Sequence, residues 1–393
     1  MAMNQPIENT YWIAIAHLPR WTIERINRLI VQVVHEKKLA WSDFFDLDKK
    51  GWRALFAFND KELTDMEAAK ADLPRLAFIA EQLQSEGFLL IPINSPDYPS
   101  VLKENLKVKG SPPVIYIKGR KGLLNEEAVA IVGSRNAGTT ALDFTTQVAK
   151  KSVKEFKVVV SGFAKGVDKQ ALDSTIEANG KSIIVLPQGI LTFQSGLKKY
   201  YEPIVNGDVL VMSTFFPKAG WDVGLAMARN AYIYGLANEI YVAESDSKGG
   251  TWEGALGGLK RHRKVYVRHP EPGEKNANLK LIELGGIPIN LDGSLLQQRK
   301  IAQEIRFEPN LETHMVSEDK VVYEKPHNLE KEISDLFQNG HYSADEIINI
   351  LKLDMDSRKL NGLLKKNPRF KAIAGKPIKY GLNDSATLNL FNP

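Results

Sequence analysis

The stretch AVAIVGSRNAGTTALDF, residues 128–144, predicts a strand, a glycine-containing loop and a helix in immediate succession. Its apolar run ends at Gly133, and Ser134 and Arg135 follow before a second glycine, Gly138. Open α/β sheets bind ligands at loops of this kind, which follow the carboxyl ends of parallel strands. The loop matches neither G-x-x-x-x-G-K-[ST] nor G-x-G-x-x-G, so neither a P-loop ATPase nor an NAD site is supported.

The same order of strand, loop and helix repeats from residue 129 to about residue 289. The apolar, β-branched runs lack strict alternation, which is typical of parallel strands covered on both faces. The predicted strands are 129–132, 158–160, 182–186, 209–212, 240–243 and 264–267. The predicted helices are 140–154, 167–179, 196–206, 225–235 and 251–260. This alternation predicts a doubly wound α/β sheet.

The segments on either side of this sheet have different patterns. The first 87 residues predict short helices, one of them capped by Thr22, and two further strands then lead into the sheet. A polar linker follows the sheet, and three helices and a hairpin after it indicate a winged helix, with a capping box at Ser343 and Glu346. The predicted domains are 1–87 (helical), 88–290 (α/β), 291–327 (linker) and 328–393 (winged helix).

The composition excludes several classes of function. The 393 residues include no cysteine, which excludes disulfides and thiolate metal sites. The formal net charge of +5 permits an anionic partner without requiring one. No signal-peptide pattern and no run of about 20 apolar residues occurs, so we expect a cytoplasmic protein without a membrane partner. No metal or cofactor motif is found, and neither is expected.

Four loops are expected at one edge of the sheet, and each carries a lysine or an arginine. In the first, outward-pointing N–H groups and the planar charge of Arg135 suit a phosphate. Arg229 and Asn230 are placed at the start of a helix. A tight turn that needs glycine only for its backbone freedom is the alternative for any single loop. The candidate binding residues are Gly133, Ser134, Arg135, Ser161, Gly162, Lys165, Gly166, Arg229, Asn230, Gly249, Gly250 and Thr251.

Groups suited to catalysis are few. Asp168 and Glu253 lie in these loops and suit acid–base chemistry, but stabilising a helix dipole is the favoured interpretation. We therefore predict no catalytic residue and no enzyme. Two basic segments leave alternatives open. The run KRHRK, 260–264, is either a nucleic-acid patch or, as favoured, a solvated helix end. Basic residues of the winged helix, including Arg369 and Lys376, suit contact with DNA or with protein.

Several separated signatures resemble the DNA-processing protein A (DprA, also called Smf) family. VAIVGSR is similar to that family's strand ending in G-S/T-R, and VVVSGFAKGVDKQAL to its V-S-G-x-A-x-G-I-D segment. Upstream, LLIPINSPDYPSVLKENLKVKGSPPVIYIKG is similar to the family's run into the sheet, which carries D-x-x-Y-P and P-P-x-x-L-Y-x-K-G signatures. The resemblance covers most of the chain.

The resemblance implies an extended Rossmann-like fold that binds single-stranded DNA, loads a RecA-type recombinase and forms a homodimer through the α/β domain. By position, the resemblance implies that Ser134, Arg135, Lys165 and Arg229 are candidates for binding the DNA strand. Bases would stack on aromatic side chains such as Phe163, Trp221 or Tyr232.

Two departures from the family pattern leave a second function open. The family's F-P-x-R-N-R reads AMARNA here, and its S-G-S-L-x-T-A loop reads SKGGTWEGA. The latter is similar to the G-G-x-G-T-x-x-E of LOG-like nucleotide-binding proteins. The alternative is therefore a LOG-like enzyme or nucleotide sensor with Glu253 as a catalytic candidate. A DprA-type role is open between transformation and a mobile-element or anti-phage function.

Overall fold

A computed structural model of the chain describes residues 5–296, 333, 335–337, 340–351, 356–366, 370–373, 375 and 378–382. The chain divides into two compact units, Met1–Glu308 and Pro309–Pro393. The predicted linker lies outside the described residues from residue 297 onward. The finer domain boundaries stay predictions.

Five helices form the N-terminal part: α1 (Gln5–Ala16), α2 (Ile23–Ile30), α3 (Trp41–Asp46), α4 (Lys49–Phe56) and α5 (Asp60–Ser85). A π-helical segment, Val31–Glu36, extends α2, and Thr22 caps its start as predicted. The prediction of short helices is wrong for α5, a single helix of 26 residues that contains Pro74. Met66, Leu76 and Ile79 of α5 are buried, and this burial offsets the backbone hydrogen bond that proline removes.

The central sheet has nine strands: β1 (Leu89–Pro92), β2 (Val114–Lys118), β3 (Ala128–Val132), β4 (Val158–Ser161), β5 (Ser182–Val185), β6 (Val209–Ser213), β7 (Glu239–Val242), β8 (Lys264–Arg268) and β9 (Ile287–Ile289). Their order is β1-β2-β6-β5-β4-β3-β7-β8-β9. Strands β3 to β9 are mutually parallel, while β1 and β2 are antiparallel to their neighbours. The predicted Rossmann-like α/β class is confirmed, and the short edge strand β9 is the one the sequence pattern missed.

Eight further helices belong to this unit: α6 (Ser100–Gly110), α7 (Thr139–Lys154), α8 (Val167–Glu177), α9 (Gln194–Lys199), α10 (Tyr201–Asn206), α11 (Val223–Leu236), α12 (Gly250–Lys260) and α13 (Asn278–Glu283). Strand β3 contributes alternate residues to two cores, with Ala128 and Ala130 in one and Val129 and Ile131 in the other. The sheet is therefore covered on both faces, as its unbroken apolar strands predict. The predicted helix 196–206 is instead two helices, because Pro203 lacks the N–H that would continue the first.

The C-terminal unit contains α14 (Ala344–Leu351), α15 (Ser357–Lys366) and the strands β10 (Tyr342–Ser343), β11 (Phe370–Ile373) and β12 (Lys379–Leu382). The strands pair antiparallel in the order β10-β12-β11. The predicted capping box is present: Ser343 N donates to Glu346 Oε2 at 2.7 Å, and Glu346 N donates to Ser343 Oγ at 3.3 Å. Helices beside a small sheet fit the predicted winged helix, which stays a prediction. Arg369 and Lys376 lie outside the described residues.

Two features are absent from the described part of the chain. No helix there is long and apolar enough to cross a membrane. No group of three or more histidine, aspartate or glutamate side chains there is arranged to hold a metal ion.

Candidate nucleic-acid interface

The sheet places three of the predicted loops side by side. Strand β3 lies between β4 and β7. The chain runs outward from β3 through β4 and β5 to β6, and then crosses back to β7 on the other side of β3. A crevice opens at such a switch point because the helices after neighbouring strands cross to opposite faces of the sheet. A pocket of about 320 Å³ occupies this position. The predicted residues that line it are Gly133, Ser134, Arg135, Arg229, Asn230, Gly249, Gly250 and Thr251.

Loop 1, residues 133–138, is tied to the end of β7. Ser134 N donates to the carbonyl of Glu244 at 3.0 Å, and Gly138 N donates to the Glu244 carboxylate at 3.3 Å. The prediction that the N–H groups of this loop point outward is therefore wrong for these two, since bonds within the protein occupy them. Arg135 is exposed at the pocket and is the cation that loop 1 offers to an anion.

The glycines of loops 1 and 2 have a packing role. A Cβ on Gly133 would lie 2.6 Å from Cγ2 of Val167, so this glycine admits α8 rather than a phosphate. Gly166, in loop 2 (residues 162–166), has φ +83°, and a Cβ there would collide with the carbonyl of Ser134. Glycine tolerates both the left-handed backbone and the close approach. Loops 1 and 2 consequently pack directly against each other.

The remaining predicted residues of loop 2 divide into buried and exposed groups. Ser161 is buried, and its hydroxyl donates to the carbonyl of Ile131 at 3.3 Å. Gly162 is buried too. The guanidinium of Arg229 packs so closely against it that a Cβ on this residue would overlap the guanidinium. Lys165 is exposed and does not line the pocket. Only Lys165 of this loop presents a charge to solvent.

Arg229 was predicted at the start of a helix, and that position is wrong. Helix α11 begins at Val223, where the Asp222 carboxylate accepts from the N–H groups of Gly224 and Leu225. Arg229 and Asn230 therefore lie at mid-helix. The predicted helix 225–235 begins only two residues after the observed start, so the error concerns the placement of Arg229 and Asn230 within it.

The Arg229 side chain is buried, with 3% of the residue exposed. Its guanidinium donates to the carbonyl of Gly162 and, at 3.1 Å, to that of Val185. Its Nη2 lies 3.7 Å from Oδ2 of Asp168. Burial lowers the pKa of Arg229 and raises that of Asp168, and each charge partly offsets the effect on the other. Through its two bonds to carbonyls, Arg229 holds the ends of β4 and β5 together beneath the pocket.

Loop 4, residues 243–249, brings the start of α12 to the pocket. Gly249 has φ +94°, a conformation that favours glycine, and a Cβ on Gly250 would collide with Nδ2 of Asn230. Oγ1 of Thr251 donates to the carbonyl of Gly133 at 3.1 Å. This bond joins α12 to loop 1 and directs the positive end of the helix dipole at the pocket.

The structure adds pocket residues that the sequence analysis did not select. Lys248 is exposed at the pocket beside Gly249, and Asn136 and Asp246 also line it. The signal for Lys248 was available, because it lies within the quoted SKGG segment. Glu253 does not line this pocket but a neighbouring one of about 240 Å³.

Of the three aromatic side chains predicted to stack on bases, only Trp221 is well exposed, at 56%. Tyr232 is buried, so that part of the prediction is wrong. Phe163 packs edge-on against Phe193 and Tyr200, with ring centroids 5.2 and 5.6 Å away.

The basic run KRHRK is not simply a solvated helix end. Arg263 donates to the carbonyls of Tyr234 and Ala237, at the C-terminus of α11. Burial lowers the pKa of Arg263 to about 10. Arg263 follows α12 in the chain, but its positive charge lies at the C-terminus of α11. A cation is favourable there because the C-terminal end of a helix dipole is negative.

A doubly wound parallel sheet with an anion-suited pocket at its switch point defines a Rossmann-like α/β protein. The model of one family, DNA recombination-mediator protein A, matches residues 89–293, just over half of the chain. The chain therefore belongs to that family, which comprises DNA-processing proteins.

Individual relatives agree with this membership. Protein Smf of Synechocystis is 27% identical over 304 residues, covering 74% of this chain and 72% of that protein. DNA processing protein DprA of Streptococcus pneumoniae is 31% identical over 170 residues, covering 43% of this chain and 59% of that protein. The solved structure of the S. pneumoniae DprA has a TM-score of 0.54 at 21% identity, over 76% of this chain and 97% of that one. At this level of identity, the structural similarity shows a shared fold and no more.

Proposed function

We propose that this protein binds single-stranded DNA along the carboxyl edge of its sheet, without catalysing a reaction. The observation that carries the proposal is a row of exposed cations on three adjacent loops: Lys165 after β4, Arg135 after β3 and Lys248 after β7. Neighbouring strands are about 4.8 Å apart, so these residues succeed one another along the edge. The successive phosphates of a DNA strand suit such a row better than a single compact anion does.

The buried groups beneath this row support the same function. Phosphate oxygens would meet Arg135, Lys248 and the start of α12, with the Ser134 hydroxyl nearby, whereas the Thr251 hydroxyl is already bonded to the carbonyl of Gly133. Arg229 and Gly162 hold the loops in position from below rather than contacting the strand. Among the three aromatic residues predicted to stack on bases, Trp221 is the exposed candidate.

Family membership supports a proposal about the wider role. We infer that the bound strand is protected and passed to a RecA-type recombinase, as the description "recombination mediator" suggests for the family. We further propose a homodimer formed through the α/β domain and a winged helix that contacts DNA or protein. A cytoplasmic location is expected for these tasks. Transformation and a mobile-element or anti-phage function remain the two biological settings.

The test is titration of a fluorescent oligonucleotide at several salt concentrations. Arg135→Ala, Lys165→Ala and Lys248→Ala should each weaken binding several-fold and reduce the salt dependence, with a slope change of about 0.7 per lost phosphate contact. Lys154→Ala is the matched control, because it removes an exposed lysine from the far end of α7. Binding insensitive to salt, or weakened equally by all four substitutions, contradicts the proposal.

One observation favours the LOG-like alternative as a second candidate. The pocket of about 320 Å³ is bounded by the bond between Thr251 and Gly133, and its volume suits one small ligand. A thermal-shift screen separates the two functions. Stabilisation by one mononucleotide, abolished by Arg135→Ala and absent with oligonucleotides, would favour the nucleotide-binding function.

A further inference from the structure

The exposed tip of loop 4, residues 246–249, lies between two fixed points. Ser245, just before the tip, is buried, and the Thr251 hydroxyl, just after it, donates to the carbonyl of Gly133. Among the described residues, no other element of the fold forms a hydrogen bond or an ion pair with a side chain of this tip. The position of Lys248 is therefore set by the backbone on either side of it.

One buried amide holds the backbone just before this tip. Asn278, the first residue of α13, is buried, and its Oδ1 accepts from Ser245 N at 3.0 Å. Its Nδ2 donates to the carbonyls of Ala243 at 3.1 Å and Arg268 at 2.9 Å. These bonds use the oxygen and both hydrogens of the amide, so its orientation is fixed. Beside it, Ala277 N donates to the carbonyl of Ser245 at 2.7 Å.

A buried ion pair at the end of β8 supports the same loop. Arg268 is 1% exposed, and its Nε donates to the carbonyl of Ala243 at 2.9 Å. Its Nη1 and Nη2 donate to the two carboxylate oxygens of Glu274 at 3.1 and 2.7 Å. Burial acts to raise the pKa of Glu274, but the bonds from Arg268 outweigh it and hold the pKa below its ordinary value. The pair therefore stays charged at neutral pH and fixes the guanidinium against loop 4.

The polar chemistry of this network favours a role in geometry over one in stability. A buried ion pair is often no more stabilising than apolar side chains of similar volume, because desolvation offsets the attraction. A fully paired polar network, in contrast, restricts its members to one arrangement. Arg268 and Asn278 both bond to the carbonyl of Ala243, where loop 4 leaves β7. The network thus fixes the direction in which the loop begins.

We propose that Asn278 and Arg268 are positioning residues for DNA binding, which hold loop 4 so that Lys248 stays in the row of cations with Arg135. This inference rests on the proposed function, because it assigns the anion at Lys248 to a phosphate of the DNA strand. Both side chains are buried, so neither contacts the strand. Their effect on DNA binding passes through Lys248.

Oligonucleotide titration of single and double variants of the full-length protein tests the proposal. Asn278→Ala should raise the dissociation constant about fivefold and reduce the salt slope by about 0.7, as loss of the Lys248 contact does. In a Lys248→Ala background, the same substitution should change the dissociation constant by less than about twofold. Arg268→Lys should act in the same direction, and it retains the charge beside Glu274 should Asn278→Ala fail to fold. Asn105→Ala is the matched control, because that amide holds two carbonyls at the far end of α11.

A measurement without DNA separates this inference from the proposed function. The chain has no cysteine, so nitroxide labels can be attached at Lys248→Cys and Lys154→Cys alone, and electron–electron resonance then gives the distance between them. The distance distribution should broaden in Asn278→Ala and stay as in the wild type in Asn105→Ala. A distribution unchanged by both Asn278→Ala and Arg268→Lys overturns the inference, as does a loss of affinity that persists in full in the Lys248→Ala background. A broadened distribution in a protein that binds no oligonucleotide instead refutes the proposed function, and the link to DNA with it.

Discussion

At the scale of single residues, burial separates two arginines that the sequence treats alike. Arg135 and Arg229 both lie in segments that resemble a DNA-binding family, and both line the same pocket. Arg135 is exposed, whereas Arg229 is bonded to the carbonyls of Gly162 and Val185. An exposed cation is available to a phosphate, whereas the buried Arg229 guanidinium already holds two backbone carbonyls with Nη1, and its Nε is without a partner. The first therefore suits contact with DNA and the second suits positioning.

Arg229→Met should lower the free energy of unfolding by about 3 kcal/mol, because it leaves the buried Asp168 carboxylate without its partner. Asp168→Asn should cost less, because the carbonyls of Gly162 and Val185 still accept from the Arg229 guanidinium after the carboxylate is removed. Urea denaturation of both single variants and the double variant measures the coupling. Effects that simply add would show that the two charges do not interact across 3.7 Å.

At the scale of elements, the hydrogen bond from Thr251 to Gly133 connects α12 to the loop after β3. The strand, loop and helix around each of these residues were predictable from periodicity and glycine placement. Their contact joins residues 118 positions apart, so no local pattern contains it. The sequence pattern relates the glycines at the start of α12 to a nucleotide-binding motif. The structure shows that Gly250 is needed because the Asn230 side chain approaches it too closely for a Cβ.

Thr251→Val should weaken oligonucleotide binding about threefold and lower stability by about 1 kcal/mol, because it removes the hydroxyl and nearly preserves the volume. Fluorescence titration and urea denaturation measure the two effects. Thr175→Val is the matched control, since that hydroxyl donates to Ala171 within α8 and lies outside the pocket. Equal loss of DNA affinity in both variants would argue against a role for the link between α12 and loop 1.

At the scale of the whole unit, the N-terminal helices and the sheet share one apolar core, in which Trp12 and Leu83 join Tyr116 and Val211. His17 lies in this region, with Nε2 2.9 Å from the hydroxyl of Tyr116. A neutral imidazole shares one hydrogen bond with that hydroxyl, as donor or acceptor according to its tautomer. Burial lowers the pKa of His17 to about 4, so the ring stays neutral in the folded protein at neutral pH.

Acid should therefore destabilise this unit through His17. Below about pH 6.5 the unfolded chain binds a proton that the folded protein excludes, so stability falls as the pH is lowered from about 6.5 to about 4. The loss from this group is at most about 3 kcal/mol. Urea denaturation over this range should show a shallower decline for His17→Gln than for the wild type. A decline identical in both proteins, or one equally altered by the exposed-residue control His35→Gln, would exclude His17 as the cause.

The sequence by itself determined the alternation of strands and helices, the edge of the sheet that carries the loops, and the basic residues on it. These features follow from local periodicity and from where glycine and charge fall after each strand. Only the tertiary structure decided which of those residues face solvent. The opening VGSRNAG is one example: its arginine is exposed, while its first glycine admits α8 and its serine N–H is bonded to Glu244. Burial and close approach depend on elements distant in the chain, and a local pattern cannot record them.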